Sequence, residues 1–291
     1  PTIRQVAAEA GVAMATVSGI LNHRPDCYAS EATRQRVLAT VRKRGYKASP
    51  MARALHGKPT GTLGLIVPGI DVPLVMFPVF EMTARQHGYT TFLVCTEDEP
   101  DLEDQAIRGL VDRYVDAIAI LPAEQGTHTE LRRLASEGFP IVTWDGAGRL
   151  DFPVDDVSID QFHGGCLQAQ HLLEIGRRRV CVLNMEQTRY VNKLKVAGLE
   201  QTLTAAGCAP ATRMNLSMPI HTRQHWEIGE FTQIMDFLRA HRGEFDALAS
   251  ISDLLAVVAM RSAIELGIRV PEDLAVIGFN DIALASQVAP S

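Results

Sequence analysis

The alternation of short apolar runs with amphipathic helical stretches most constrains how this chain can fold. Apolar runs occur at 63–68, 91–96, 117–122 and 141–145, and helical patterns lie between them. After Asp155 the rhythm restarts, with strands predicted near 157–160, 180–184, 247–252 and 274–279. Buried strands that alternate with helices predict parallel, doubly wound sheets. Two such series predict two similar α/β subdomains, at 61–155 and 156–291, with a ligand cleft between them at the carboxyl ends of the strands.

The first 58 residues differ from this body in charge. They contain ten Lys or Arg against three acidic residues, a net charge of +7, whereas the remainder has 18 basic and 31 acidic residues, a net charge of −13. A basic segment on an acidic body predicts a polyanion-binding head attached to a part with a different task.

The head, 1–46, shows the pattern of three short helices. Thr2 and Gln5 form a possible capping box for the first helix, which Gly11 ends. A second helix is predicted at 14–22, and a third begins at Ser30 and stops at Gly45. Two short helices joined by a tight turn and braced by a third are typical of a helix-turn-helix, whose second helix enters the major groove of DNA. A plain three-helix bundle with a solvated basic surface is the alternative.

The candidate DNA contacts lie mainly on the second helix. Its predicted outward face carries Ala15, Ser18, Gly19 and Asn22, with Met14 and Thr16 beside them, and Thr2 is placed with this group. Thr16 and a basic cluster on the third helix could contact phosphates, and the cluster consists of Arg34, Arg36, Arg42, Lys43 and Arg44.

Motifs along nearly the whole chain resemble the LacI/GalR family of bacterial transcription regulators. In the head they are Ile3-Arg4-Gln5-Val6-Ala7, Ala10-Gly11-Val12, Ala15-Thr16-Val17-Ser18, Leu21-Asn22, Thr33-Arg34-Gln35-Arg36-Val37 and Gly45-Tyr46. They continue with Met51-Ala52-Arg53-Ala54-Leu55, Leu63-Gly64-Leu65-Ile66-Val67-Pro68, Val115-Asp116-Ala117-Ile118 and Ile277-Gly278-Phe279-Asn280-Asp281. The resemblance implies a helix-turn-helix head, a hinge at 47–60, and two subdomains like those of periplasmic binding proteins.

Two departures from the family pattern concern DNA reading. The family usually has Ser at Ala13, so the second helix lacks its common N-cap, a loss of ~1 kcal/mol. It usually has Arg at Gly19. We therefore expect direct readout through apolar contacts, including thymine methyl groups, together with Thr16 and Ser18; weak binding is the alternative.

In the hinge, the resemblance implies that Arg53 belongs to a helix that orders on DNA and that Leu55 inserts between base pairs. A core contact next to the linker is the alternative for Leu55.

For the cleft, the resemblance implies effector contacts. They are Leu74, Asp145, Lys195, Trp226, Ser252 and Asn280. Lys195 stands where the family usually has Arg, and it lacks the planar fork of that side chain. Trp226 fits a platform for a sugar ring or, equally, an anchor of an amphipathic helix. Asp253 and Asp281 each precede a predicted helix, which favours an N-cap role for both.

Signatures of other functions are absent from the sequence. It has no phosphate-binding glycine loop, no nucleophile elbow and no G-x-G-x-x-G, so we expect no enzyme activity and no cofactor. His221 and His225 have a metal-like spacing without an evident third ligand, and a solvated loop is preferred. Five scattered cysteines, no apolar run of ~18 residues and no apolar leader predict a reduced, cytoplasmic protein without a membrane span.

The sequence therefore predicts a DNA-binding repressor, homodimeric on double-stranded operator DNA and controlled by a small polar effector, a sugar or sugar derivative. The alternative is a solute-binding sensor with a degenerate, weak DNA-binding head. A transport-associated binding protein predicts a leader and no basic head, and a Rossmann-like enzyme predicts a glycine motif or catalytic acid and base. The resemblance also implies a longer C-terminal end, so we expect this sequence either to be part of a longer chain or to lack the family's last strands.

Overall fold

The computed structural model describes residues 1–22, 24, 27–46, 58–69, 73–146, 148–186, 189–217 and 226–290, and it describes the side chains of these residues except 73–75 and 226–230. Three helices form the head: α1 (Ile3–Ala10), α2 (Met14–Leu21) and α3 (Glu31–Arg44). The capping box of Thr2 and Gln5 is confirmed, and Ser30 caps α3 through a bond from the Thr33 amide. Gly11 and Gly45 end α1 and α3 in the left-handed conformation, at φ 65° and 60°.

A five-stranded parallel sheet forms the first subdomain, with strand order β2-β1-β3-β4-β5. Its register pairs Leu65 with Leu93 on one side and with Ala119 on the other. The elements in chain order are β1 (Thr62–Val67), α4 (Pro73–Gln86), β2 (Thr90–Cys95), α5 (Pro100–Val111), β3 (Ala117–Ile120), α6 (Thr129–Ser136), β4 (Ile141–Trp144) and β5 (Asp155–Val157).

A four-stranded parallel sheet forms the second subdomain, with strand order β7-β6-β8-β9. Val182 pairs with Arg213 and with Ala249. The elements are α7 (Gln161–Glu174), β6 (Val180–Met185), α8 (Tyr190–Ala205), β7 (Thr212–Leu216), α9 (Trp226–Ala240), β8 (Ala247–Ser250), α10 (Asp253–Glu265), β9 (Ala275–Ile277) and a 3₁₀ helix (Ala283–Gln287). The prediction of a small helical head followed by two doubly wound parallel sheets is confirmed.

Two strands differ from the sequence prediction. The strand expected to open the second series is β5, which pairs with β4 and completes the first sheet. The predicted boundary between 155 and 156 therefore falls inside this strand. Strand β7 was not predicted, because an edge strand with alternating exposed and buried residues contains no continuous apolar run.

Three separate apolar cores correspond to the three units. The head core joins its three helices through Val6, Ala7, Ala10, Val17, Ile20 and Val37. The first subdomain packs around Ile107, Ile118 and Leu131, and the second around Leu172, Leu183 and Leu248. Within the described ranges, no helix is long and apolar enough to cross a bilayer.

Helices α7 and α8 cross at two glycines. An ideal Cβ at Gly165 would lie 1.8 Å from the carbonyl oxygen of Lys195, and one at Gly198 would lie 1.9 Å from the carbonyl oxygen of Phe162. The helix backbones therefore touch directly. Because Lys195 is on α8, this crossing fixes the position from which its side chain extends.

Candidate functional site

Helix α2 presents a mixed apolar and polar face to solvent. Met14 is 45% exposed, Ala15 and Asn22 are exposed, and Thr16 and Ser18 are half-buried. Asn22 Nδ2 donates to the Ser18 carbonyl at 2.7 Å and to the Ser18 hydroxyl at 3.3 Å. The Asn22 amide oxygen can still accept a hydrogen bond and the Ser18 hydroxyl can still donate one, so this pair can contact a base edge.

Gly19 does not belong to that face, and its predicted placement there is wrong. It is buried against Cys27, and an ideal Cβ at Gly19 would lie 2.7 Å from Cys27 Sγ and 2.8 Å from Cys27 Cβ. Helical spacing alone groups Gly19 with Ala15 and Asn22. Cys27, five residues after Asn22, covers Gly19, which helical spacing cannot predict.

Gly19→Ala is expected to destabilise the head by about 1 kcal/mol. Alanine gains about 1 kcal/mol in helix propensity, but overpacking against Cys27 costs about 1–3 kcal/mol. Urea unfolding of the full chain, followed by circular dichroism, measures the change. Cys27→Gly removes both clashing atoms. In that background Gly19→Ala is therefore expected to stabilise the head through its helix propensity. A gain in stability from Gly19→Ala that does not depend on Cys27 would contradict this packing.

Helix α2 begins without a side-chain cap. Its N-cap is Ala13, which makes no side-chain hydrogen bond there, as the sequence predicted. The N-terminus of α2 therefore lacks the side-chain acceptor that a cap residue would supply, although the Thr16 amide bonds the Ala13 carbonyl at 3.0 Å.

The basic cluster of α3 is partly engaged within the head. Arg36 Nε donates to the Ala10 carbonyl at 2.9 Å. Lys43 and Arg44 both bond Glu9, and their hydrogen bonds lower the pKa of Glu9 from its ordinary value. Within the part of the chain that the structure describes, Arg34 makes no side-chain hydrogen bond or ion pair, which leaves its guanidinium for a phosphate.

The hinge residues lie outside the described residues. Arg53 and Leu55 fall in 47–57, so their predicted roles at DNA remain predictions. His221 and His225 are likewise outside, and among the described residues no group of three His, Cys, Asp or Glu is placed to hold a metal ion.

Asp145 lies at the carboxyl end of β4, where the sequence placed it. Its backbone is left-handed, at φ 51°, and the residue is 8% exposed. Its carboxylate accepts from the Ile159 amide at 3.2 Å and from Gln161 Nε2 at 3.4 Å. Burial raises the pKa of Asp145 above its ordinary value, against the effect of these two hydrogen bonds.

A cavity of about 200 Å³ adjoins Asp145 between the two subdomains. One wall follows β4 and β5, and the other is the first turns of α8. The lining side chains are Asp145, Ser158, Ile159, Asp160, Gln161, Tyr190, Val191 and Leu194. This position, at the carboxyl ends of parallel strands, is the one at which open α/β sheets bind ligands.

Lys195 is buried beside this cavity but does not line it. Its Nζ donates to the Ile251 carbonyl at 3.0 Å and lies 3.7 Å from the centre of the Phe279 ring. Burial lowers its pKa from 10.5 to about 8, although the carboxylates of Asp145 and Asp253 act in the opposite direction. The charges of Lys195 and Asp145 therefore act on each other, although the ammonium makes its direct contacts within the second subdomain.

Of the remaining predicted effector contacts, the two with described side chains, Ser252 and Asn280, do not line this cavity. Ser252 is the N-cap of α10 and accepts from the Leu255 amide at 3.4 Å. Asn280 is exposed, with φ 104°. The side chains of Leu74 and Trp226 lie outside the described residues; both positions fall on helices, α4 and α9.

The N-cap roles predicted for Asp253 and Asp281 are wrong. Asp253 is the first residue of α10, and its carboxylate accepts from the Ile282 amide at 2.9 Å. Ile282, and not Asp281, is the N-cap of the 3₁₀ helix. The neighbouring residue takes the cap position in each case, an offset that sequence patterns do not resolve.

An ion-pair clasp joins the subdomains at the edge of the cleft. Arg189, the N-cap of α8, bonds Asp98 at 2.5 Å. The Tyr190 amide donates to Glu124 at 2.7 Å, and Glu124 also lies 3.4 Å from Arg149. Asp98, Glu124 and Arg149 belong to the first subdomain, so the start of α8 is tied to it by charge-assisted bonds.

Sequence reasoning missed Gln161, Tyr190 and Arg189. Gln161 follows the Asp160 N-cap of α7, and the other two follow β6 in a segment without an apolar pattern. The only available signal was their position after strands at the predicted ligand edge.

Comparisons with known proteins cover the whole chain. Residues 60–289 match the family described as periplasmic binding proteins and sugar binding domain of LacI family, and residues 2–49 match bacterial regulatory proteins, lacI family. The chain is 30% identical to the HTH-type transcriptional regulator DegA of Bacillus subtilis, over 99% of this chain and 84% of that protein. It is 29% identical to the ribose operon repressor of Halalkalibacterium halodurans, over 100% of this chain and 83% of that protein.

A solved structure supports the same fold. The lac repressor dimer bound to operator and the anti-inducer ONPF is similar with a TM-score of 0.83 and 23% identity, over 98% of this chain and 84% of that one.

Proposed function

This chain belongs to the LacI family of DNA-binding transcriptional regulators, and we propose that it is a cytoplasmic repressor that binds a pseudo-palindromic operator as a homodimer. The exposed face of α2, with Met14, Ala15, Ser18 and Asn22, carries this proposal. Such a face suits a helix that enters the major groove. A two-fold symmetric dimer would present two such helices to two half-sites.

The DNA contacts divide into base reading and phosphate binding. Met14 and Ala15 offer apolar surface to thymine methyl groups, and the Ser18–Asn22 pair offers one donor and one acceptor to base edges. Arg34, Thr16 and Thr2 would contact phosphates, which fix orientation without reading sequence. Arg53 and Leu55 would act in the minor groove from the hinge.

The effector would bind in the cavity between the subdomains. Support comes from the buried carboxylate of Asp145 and from walls that belong to both subdomains. Because closure of such a cleft changes the angle between subdomains, DNA and effector affinities would be coupled reciprocally. One relative is a ribose operon repressor. This favours a small polar molecule such as a sugar or sugar derivative.

Selection of operators by the full chain from a randomised duplex library tests the DNA-binding proposal. Arg34→Ala is expected to weaken binding uniformly across sequences and to lower the salt slope by about 1. Ser18→Ala is expected to relax the preference at one base position, at a cost of about 1–3 kcal/mol. Arg239→Ala removes an exposed arginine from α9 and is the matched control, with no change in salt slope expected.

The alternative of a sensor with a degenerate head is favoured by one observation, the missing side-chain cap of α2. The same experiment separates the two functions. A specificity ratio of at least about 10³ over random duplex supports the repressor, whereas a salt slope without a preferred sequence supports the degenerate head.

A further inference from the structure

Among the described residues that line the cavity at Asp145, side-chain acceptors outnumber donors. Asp145 and Asp160 contribute carboxylates, and no Lys, Arg or His is among the described lining residues. The Ser158 hydroxyl donates to Asp156, so among the described lining residues the side-chain donors that remain are the Tyr190 hydroxyl and the second N–H of the Gln161 amide. A bound molecule that brings donors is therefore matched better than one that brings acceptors.

Gln161 holds an acceptor without a partner. The residue is 7% exposed, and its Nε2 donates to Asp145 Oδ2. A carboxylate can only accept, so this bond fixes the amide with its nitrogen toward Asp145. The other amide atom, Oε1, is buried and has no hydrogen-bond partner among the described residues. Buried acceptors in native proteins are nearly always paired, and Gln161 lines the cavity, so a donor on a bound molecule is one partner that this oxygen could take.

The cation nearest to Asp145 does not fill this role. The Lys195 ammonium is bound to the Ile251 carbonyl and the Phe279 ring and does not line the cavity. The Asp145 carboxylate is itself buried, and from the described residues it accepts two hydrogen bonds, one from the Ile159 amide and one from Gln161. A positive group placed between Asp145 and Gln161 would compensate the burial of this carboxylate.

We propose that the effector carries a protonated amine, which binds between the Asp145 carboxylate and the Gln161 amide oxygen. This inference rests on the proposed function of the cleft as the effector site. An ammonium group has three or two N–H donors and no acceptor, whereas each hydroxyl of a neutral sugar also brings lone pairs, for which the described lining residues offer few donors. The apolar Ile159, Val191 and Leu194 would contact the carbon skeleton of the molecule.

Binding of matched probe pairs to the full chain tests the proposal directly. D-glucosamine is compared with D-glucose, D-galactosamine with D-galactose, and putrescine with 1,4-butanediol, by thermal shift and calorimetry at neutral pH. At least one amine is expected to bind about tenfold more tightly than its neutral partner. Equal or tighter binding of the neutral partners, or no amine binding across the panel, overturns the proposal.

Three variants show whether the preference arises at this pair. Asp145→Asn and Gln161→Leu are each expected to reduce the amine preference to about threefold or less. Gln201→Leu makes the same change at an exposed position of α8 and is expected to leave the preference intact. Amine binding that survives both cavity variants overturns the assignment, provided that their unfolding curves without probe match the unsubstituted chain.

Release of the chain from its operator is a second assay. It distinguishes failure of the amine proposal from failure of the proposed effector role of the cleft. A bacterial small-molecule extract is divided on a cation exchanger at neutral pH, and each fraction is added to the complex of the chain with its selected operator. Activity in the retained fraction supports an amine effector. Activity confined to the unretained fraction refutes the amine but keeps the effector role, and no activity in either fraction contradicts both.

Discussion

Gly198→Ala is expected to lower the free energy of unfolding of the second subdomain by about 3 kcal/mol, the upper end of the range for overpacking. The new Cβ would lie 1.9 Å from the Phe162 carbonyl oxygen and 3.2 Å from the Cys166 amide nitrogen. These are backbone atoms of α7, so no side-chain rotation relieves the clash and the two helices must separate. Gly165→Ala meets the Lys195 carbonyl at 1.8 Å and is expected to have an effect of the same size.

Gly109→Ala is the matched control on helix α5. A Cβ at Gly109 would lie 3.5 Å from Arg113 Nη1, an ordinary contact with a flexible side chain. Alanine is therefore expected to stabilise α5 by up to about 1 kcal/mol through helix propensity. Urea unfolding monitored by circular dichroism measures all three variants. Equal small effects at Gly198 and Gly109 would show that α7 and α8 do not touch backbone to backbone.

Lys195→Met is expected to change the pH dependence of stability by up to about 3 kcal/mol. Burial lowers the pKa of Lys195 from 10.5 to about 8, and one pKa unit corresponds to about 1.4 kcal/mol. Below pH 8 the lysine is protonated in both the folded and the unfolded chain. The full cost of burying its charge then lowers the free energy of unfolding. Between about pH 8 and 10.5 the unfolded chain binds more protons, so the stability of the unsubstituted chain rises with pH.

Urea unfolding from pH 7 to pH 10.5 measures this difference. The unsubstituted chain is expected to gain stability relative to Lys195→Met across that range. The variant also leaves the Ile251 carbonyl without its donor, but this cost does not depend on pH and leaves the slope unchanged. Lys193→Met is the control for loss of a lysine from the same helix at an exposed position. Parallel pH curves for Lys195→Met and the unsubstituted chain would refute a buried, charged Lys195.

Local patterns predicted much of the head and the sheets. Thr2 with Gln5, Gly11, Ser30 and Gly45 set the helix limits because capping depends on residues close in sequence. A strand was predicted at 157–160, close to β5, but it was assigned to the second sheet, whereas β5 pairs with β4 in the first sheet. Which sheet a short strand joins depends on long-range pairing, to which its own residues give no guide.

The candidate sites show the same division. Asp145 was predicted at a strand end and lies at the cavity, whereas Gln161 and Tyr190, which complete it, carry no motif of their own. Gly19 was grouped with the DNA face by helical spacing and is buried under Cys27 instead. Lys195 was predicted to face the cleft, but its ammonium is bound within the second subdomain.

The sequence by itself determined most of the order of helices and strands, the basic head on an acidic body and the edge of the sheets at which a ligand would bind. These follow from periodicity, charge and capping, which act over a few residues. Only the tertiary structure decided which residues meet: Gln161 with Asp145, Arg189 with Asp98, and α7 with α8 at their two glycines. Such contacts join residues far apart in the chain, and their geometry depends on the packing of every element between them.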